Sequence, residues 1–229
     1  MWNLCELNPN YVPSPDLEYY WPFCYNLTDI VGQVTLYGGV NVSFTNDRFN
    51  NILNAMSFSS GHLQAPPGVY FDGGDYSITF WIYPRAFGLY SSILDFGNGN
   101  QTDNIACGFY DTTGQLNHLF SRANSWALTS TSAHSIQLNQ WQHLSFVFSS
   151  STLASQIYVN GILFATGTAT GPPNNIQRAH NYIGKSSSTN NQDVNAILDE
   201  IKIFSVALTQ SQIRLEMSNE FYAVTSSSS

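Results

Sequence analysis

Apolar and polar residues alternate along most of this chain, and glycine, asparagine or serine interrupts the alternation at short intervals. Tyr76-Ser-Ile78-Thr-Phe80-Trp-Ile82-Tyr shows the pattern most cleanly, and its period of two puts Ile78, Phe80 and Ile82 on one face of a strand. Leu144-Ser-Phe146-Val-Phe148 repeats it. Ser92-Ile-Leu-Asp-Phe, Ile105-Ala-Cys-Gly-Phe-Tyr, Gln115-Leu-Asn-His-Leu-Phe, Asn181-Tyr-Ile-Gly and Ile197-Leu-Asp-Glu-Ile-Lys-Ile-Phe read as further strands. Upstream, Tyr19-Tyr-Trp-Pro-Phe-Cys is an aromatic strand. Val34-Thr-Leu-Tyr is closed by a turn at Gly38-Gly39, and Ala55-Met-Ser-Phe-Ser by a turn at Ser60-Gly61. The strongest turn signal is Asn160-Gly161, set between Ile157-Tyr158-Val159 and Ile162-Leu163-Phe164. Both central residues of a type I′ turn need positive φ, which Asn and Gly tolerate, so this predicts a two-residue hairpin. Helical spacing is confined to one late segment, where Thr209-Gln-Ser-Gln212 forms a capping box ahead of Ile213 and Met217. Many short strands with regular turns and one short C-terminal helix predict an all-β antiparallel sandwich.

The organisation is that of one domain. Residues 1–16 carry Pro9, Pro13 and Pro15 and read as an extended lead-in, residues 17–221 form the domain, and the Ser-rich residues 222–229 form a tail. Charged residues are 10% of the chain, far below the roughly 25% of an average soluble protein, and polarity comes from Ser, Thr, Asn and Gln. The net charge of −8 and the absence of any basic run exclude nucleic acid and disfavour anionic membranes, since both partners require clustered Lys and Arg. No apolar stretch is long enough to cross a membrane. The first residues lack the pattern of a signal peptide, so an extracellular location implies a domain taken from a longer precursor. Cys5 and Cys24 share the aromatic N-terminal segment and can pair, a closure contributing about 3 kcal/mol. Cys107 is the odd thiol, inside a strand. Asn26, Asn41 and Asn100 each open an N-glycosylation triplet.

Several of these segments together resemble a known family. Ser77 to Pro84, Trp141-Gln-His143, Tyr158-Val-Asn-Gly161 and Ile197 to Leu208 follow the order of the core strands in laminin G-like, pentraxin-like domains. Trp21-Pro-Phe, Asp29 and Asp47-Arg48-Phe49 resemble the opening strands of that family, so the likeness runs over roughly residues 17–220. It implies a two-sheet jelly roll of concanavalin A-like type, with Trp141 filling space between the sheets. It also implies a binding module more than an enzyme, although one fold hosts many functions.

Catalytic chemistry finds little footing. Jelly-roll glucanases carry alternating carboxylates on one strand, because glycoside hydrolysis needs two across the scissile bond. Here Asp16 and Glu18 straddle the end of the Pro-rich lead-in, Asp72 and Asp75 bracket a turn, and the adjacent Asp199 and Glu200 point to opposite faces of a strand. No Gly-x-Ser-x-Gly or phosphate loop occurs. Calcium enters through the resemblance: a rim site implies Asp103, and the structural site of the wider fold implies Asp199 with the Gly61 carbonyl. A sugar surface needs exposed aromatics and amides, which Trp126, Tyr90, Tyr110 and Asn98 supply. The sequence thus predicts a non-catalytic, lectin-like or adhesion module. The expected module is extracellular and glycosylated, with a glycan or an extracellular protein as its expected partner and calcium as its candidate cofactor. The alternatives are a packing domain without a ligand and a degenerate or unrecognised glycosidase.

Overall fold

The alternating segments pair into a single ladder that folds back on itself. A computed structural model describes residues 14–99, 102–122, 125–188 and 191–218. Among these, the first strands are β1 (Leu17–Trp21), β2 (Tyr37–Thr45), β3 (Ala55–Ala65) and β4 (Tyr76–Ala86). They are followed by β5 (Ser92–Gly97), β6 (Ile105–Phe109), β7 (Leu116–Arg122) and β8 (Ser125–Ser130). The last are β9 (Gln142–Ser149), β10 (Ala154–Val159), β11 (Ile162–Thr168), β12 (His180–Ile183) and β13 (Val194–Phe204), before helix α1 (Gln210–Ser218). The hydrogen-bonded order is β11-β10-β9-β4-β13-β3-β12-β5-β6-β7-β8, with β1 on β13 and β2 on β3. Every pairing is antiparallel. Beyond β3 and β12 the ladder turns over, so that β7 and β8 stand against β10 and β11. The result is the expected two-layer sandwich, with the two layers continuous through β12.

The space between the layers is filled from alternate positions. Ile78, Phe80 and Ile82 of β4 and Leu144, Phe146 and Phe148 of β9 are all buried there, as their spacing predicts. From the other layer come Ile105, Cys107 and Phe109 of β6, with Leu116 and Phe120 of β7. Phe120 meets Phe148 with ring centroids 4.8 Å apart, an aromatic contact between the layers. Buried among them, His118 is held by Tyr76 Oη on Nε2 and Ser155 Oγ on Nδ1, each at 2.9 Å. A smaller core joins Leu17, Tyr20, Val147, Tyr158, Phe204, Leu208 and Ile213 beneath α1.

Local signals explain most boundaries. Asn160 and Gly161 adopt φ of 49° and 69°, as a type I′ turn requires, and Val159 pairs with Ile162 across them. The capping box closes reciprocally: Gln212 N donates to Thr209 Oγ1 at 3.3 Å and Thr209 N donates to Gln212 Oε1 at 2.8 Å. Two expected turns are strand instead. Gly38-Gly39 lies inside β2, where the pairing slips between Tyr37 and Val40 and Gly38 takes φ 63°. Ser60-Gly61 lies inside β3, where a Cβ on Gly61 would sit 2.2 Å from the Val40 carbonyl oxygen. Glycine here permits the close approach of β2, and it does not turn the chain. Trp141 is half-buried on Tyr83, ring centroids 5.8 Å apart, and among the described residues Trp21 is the fully buried tryptophan.

Candidate functional site

The outer face of the β5–β6–β7–β8 layer carries the candidate site. With Ile105, Cys107 and Phe109 committed to the core, Ala106 must point the other way, and the register aligns Asp95, Ala106, Leu119 and Leu128 across the four strands. These residues form the floor of a groove of roughly 330 Å³, a size that suits a small ligand. Tyr90 and Tyr110 stand together at one end, ring centroids 5.3 Å apart and nearly perpendicular. Trp126 stands toward the other, on the edge strand β8 opposite Ser121, and is 62% exposed. Exposing that much indole to water has no packing benefit, whereas a flat ring at the wall of a groove is a stacking surface.

The polar wall is built by one buried carboxylate. Asp95 Oδ1 accepts from Asn104 Nδ2, and Oδ2 accepts from Ser187 N at 2.7 Å, Ser187 Oγ at 3.0 Å and Ser186 Oγ at 3.2 Å. Ser186 Oγ in turn accepts from Ser188 N at 3.1 Å and Asn191 Nδ2 at 2.9 Å. Burial pushes the Asp95 carboxyl above its ordinary range, against the hydrogen bonds from Ser187, Asn104 and Ser186 that pull it down. Gly97 makes room for this arrangement, since a Cβ there would lie 2.3 Å from the Asn104 amide carbon. Asp95 therefore fixes Ser186 and Ser187, and through Ser186 also Ser188 and Asn191, along one side of the groove.

Of the residues expected to bind a ligand, Trp126, Tyr90 and Tyr110 come together here. Asn98 does not. Its Nδ2 donates to Gln177 O at 3.2 Å and its Oδ1 accepts from Ala179 N at 2.9 Å, so it latches β5 to the approach to β12. Asp95, Asn104, Asn117, Ser186, Ser187, Ser188 and Asn191 are not legible as site residues from the sequence, although a carboxylate inside the apolar Ser92–Phe96 strand is a visible signal.

The residues offered for calcium lie apart. Asp199 is buried on β13, where Oδ2 accepts from Arg48 Nη1 at 2.9 Å. Arg48 Nη2 reaches Glu200 Oε1 at 3.0 Å, and the guanidinium lies 4.6 Å from the ring centroids of both Phe49 and Trp81. Burial and the neighbouring Glu200 hold the Asp199 carboxyl well above its ordinary range, with Arg48 opposing. Gly61 pairs with Val194, whereas Asp199 pairs with Trp81 farther along β13, so the two do not meet. Asp103 accepts from Asn174 Nδ2 through Oδ1 and from Arg178 Nε through its carbonyl at 3.0 Å. Among the described residues no group of three or more His, Cys, Asp or Glu is arranged to hold a metal ion. His143 is buried against Trp81, ring centroids 5.3 Å apart, with Ser145 Oγ 3.4 Å from Nδ1. Cys24 is disulfide-bonded and Cys107 is a free, buried thiol; Cys5 lies outside the described residues. Asn26 and Asn41 are exposed, and Asn100 lies outside the described residues, as do residues 1–13 and the tail 222–229.

Comparison with known proteins bears on the fold. The model of the Laminin_G_3 family, described as the concanavalin A-like lectin/glucanases superfamily, matches residues 58–214. Among solved structures, domain 4 of AbnA, a GH43 extracellular arabinanase from Geobacillus stearothermophilus in complex with arabinotriose, aligns with a TM-score of 0.69 at 19% identity. The alignment covers 87% of this chain and 97% of that one. The binding domain of botulinum neurotoxin DC in complex with rat synaptotagmin II aligns at 0.67 with 16% identity, covering 88% of this chain and 51% of that one. The binding domain of Paraclostridial Mosquitocidal Protein 1 aligns at 0.68 with 17% identity, covering 88% and 51%. This chain therefore spans about half the length of those toxin domains. No curated protein sequence matches it.

Proposed function

Because the chain belongs to the Laminin_G_3 family of the concanavalin A-like lectin/glucanase superfamily, we propose that it is a non-catalytic recognition module that takes an oligosaccharide along the β5–β8 groove. The observation that carries this reading is the convergence of Trp126, Tyr90 and Tyr110, with the amides of Asn104, Asn117 and Asn191, on one surface. Aromatic faces pack against sugar rings, and amides and hydroxyls exchange hydrogen bonds with sugar hydroxyls. A glycosidase reading is weaker. Hydrolysis uses a pair of carboxylates, and among the described lining residues Asp95 is the one carboxylate, spent on holding Ser186 and Ser187.

The same reading places the chain outside the cell. The Cys24 disulfide suits an oxidising compartment, and Asn26 and Asn41 are exposed for glycosylation. A rim calcium would rest on Asp103, and calcium dependence is tested together with binding.

Isothermal titration against a panel of oligosaccharides that includes arabinotriose, with calcium and with chelator, tests the proposal. At least one member should bind, and Trp126→Ala should weaken it about tenfold or more, a loss of about 1.4 kcal/mol, with the thermal midpoint unchanged. A panel without binding, or a Trp126→Ala protein that binds as tightly as the parent, would contradict it. Affinity that requires calcium and is lost in Asp103→Asn would add the metal to the account.

A further inference from the structure

Resting on the groove as the recognition site, we infer that its ligand class is an extended, uncharged oligosaccharide, and that the groove discriminates against anionic sugars such as uronates and sulfated or sialylated chains. Charge is the first argument. Among the described residues lining the groove, none is Lys, Arg or His, and the single carboxylate is that of Asp95. Anionic glycans are held by paired or bidentate cations, and a buried carboxylate beside the site repels them at low effective dielectric. His118, between Asn117 and Leu119, points into the core, and the nearest Lys and Arg are engaged elsewhere. Lys185 Nζ lies 5.5 Å from the centroid of the Tyr182 ring, and Arg122 Nη1 reaches toward the Pro172 carbonyl at 3.5 Å. The net charge of −8 adds long-range repulsion of the same sign.

Length is the second argument. Asn104 and Ser121 are bonded to each other at one end of β6 and β7, through Asn104 N to Ser121 Oγ and Ser121 N to Asn104 O, both at 2.9 Å, and Trp126 pairs with Ser121. Tyr110 lies at the other end of β6, six residues on (110 − 104 = 6), which at a strand rise of about 3.3 Å per residue places the two aromatic stations on the order of 20 Å apart. The apolar floor of Ala106, Leu119 and Leu128 runs between them. A single terminal sugar cannot reach both stations, whereas a chain of several rings can.

The test titrates the full chain with neutral gluco-, manno- and arabino-oligosaccharides of increasing length. It then uses the tightest of these with its primary hydroxyls oxidised to carboxylates. The neutral form should bind more tightly with each added ring until the span is filled. The oxidised form should bind at least tenfold more weakly, and added salt should narrow the gap by screening. Asn117→Lys, which sets a cation in the groove, should shrink the ratio of the two affinities several-fold. Equal or tighter binding of the oxidised form, affinity independent of length, or an unchanged ratio in Asn117→Lys would overturn this inference and leave carbohydrate recognition standing. No binding of any neutral or oxidised oligosaccharide would overturn the recognition reading itself.

Discussion

At the scale of single residues, Asp95 decides the shape of the groove. A carboxylate 3% exposed inside an apolar strand is costly unless every lone pair is used, and here Asn104, Ser186 and Ser187 all donate to it. Asp95→Ala strands those donors, and unfolding in urea at pH 7 should show a loss of about 2–4 kcal/mol, the cost of several unsatisfied buried groups. A variant within about 0.5 kcal/mol of the parent would mean that Ser186 and Ser187 are held by other contacts. The sequence announced the aromatic half of this site and not the polar half. Trp126, Tyr90 and Tyr110 are legible because large flat side chains beside turns suggest stacking. Asp95 and Ser186 meet only because β12 pairs with β5, a contact between distant residues that no local pattern encodes.

At the scale of elements, local rules succeeded where one strand or turn decides the outcome and failed where two strands meet. The Asn160-Gly161 hairpin and the Thr209 cap follow from residues a few positions apart. Gly38-Gly39 and Ser60-Gly61 carry the same turn composition, yet their glycines serve a close strand pair, a demand that arises only once β2 lies on β3. The same holds for Asp199, which the family resemblance offers to a metal and the fold gives to Arg48.

The interface between the layers makes a pH prediction. Burial alone lowers the His118 pKa from 6.5 to about 3, and burial with Lys202 and Arg48 does the same to His143. A histidine depressed in the fold contributes stability above its unfolded pKa. That contribution is lost as pH falls from 6.5 towards 3, at about 1.4 kcal/mol per pH unit for each ring. Asp95 and Asp199, raised in the fold, work in the opposite sense, so the comparison with a variant isolates one ring. The deficit of His118→Gln relative to the parent should be largest at pH 7 and shrink by more than 1 kcal/mol by pH 5. A deficit constant over that range would show that His118 titrates normally in the fold.

At the scale of the whole molecule, the two faces of the β5–β8 layer divide the labour. The inner face joins the aromatic core through Phe109, Leu116 and Phe120, and the outer face is free to carry the groove because the core has no further claim on it. The sequence reading reached the sandwich through periodicity and its family through the order of motifs, because both survive at low identity. Which face would carry a ligand depended on how the ladder turns over at β12, and that is visible only in three dimensions. The central claim is that the outer face of β5–β8 is the recognition surface. The most direct measurement is an amide chemical-shift map of the labelled chain titrated with its tightest neutral oligosaccharide. The account predicts shifts concentrated at residues 90–95, 104–110, 117–119, 126–128, 186–188 and 191, which line or flank the groove. Shifts concentrated instead on the β10–β11 hairpin or around Asp103 and Asn174 would contradict it.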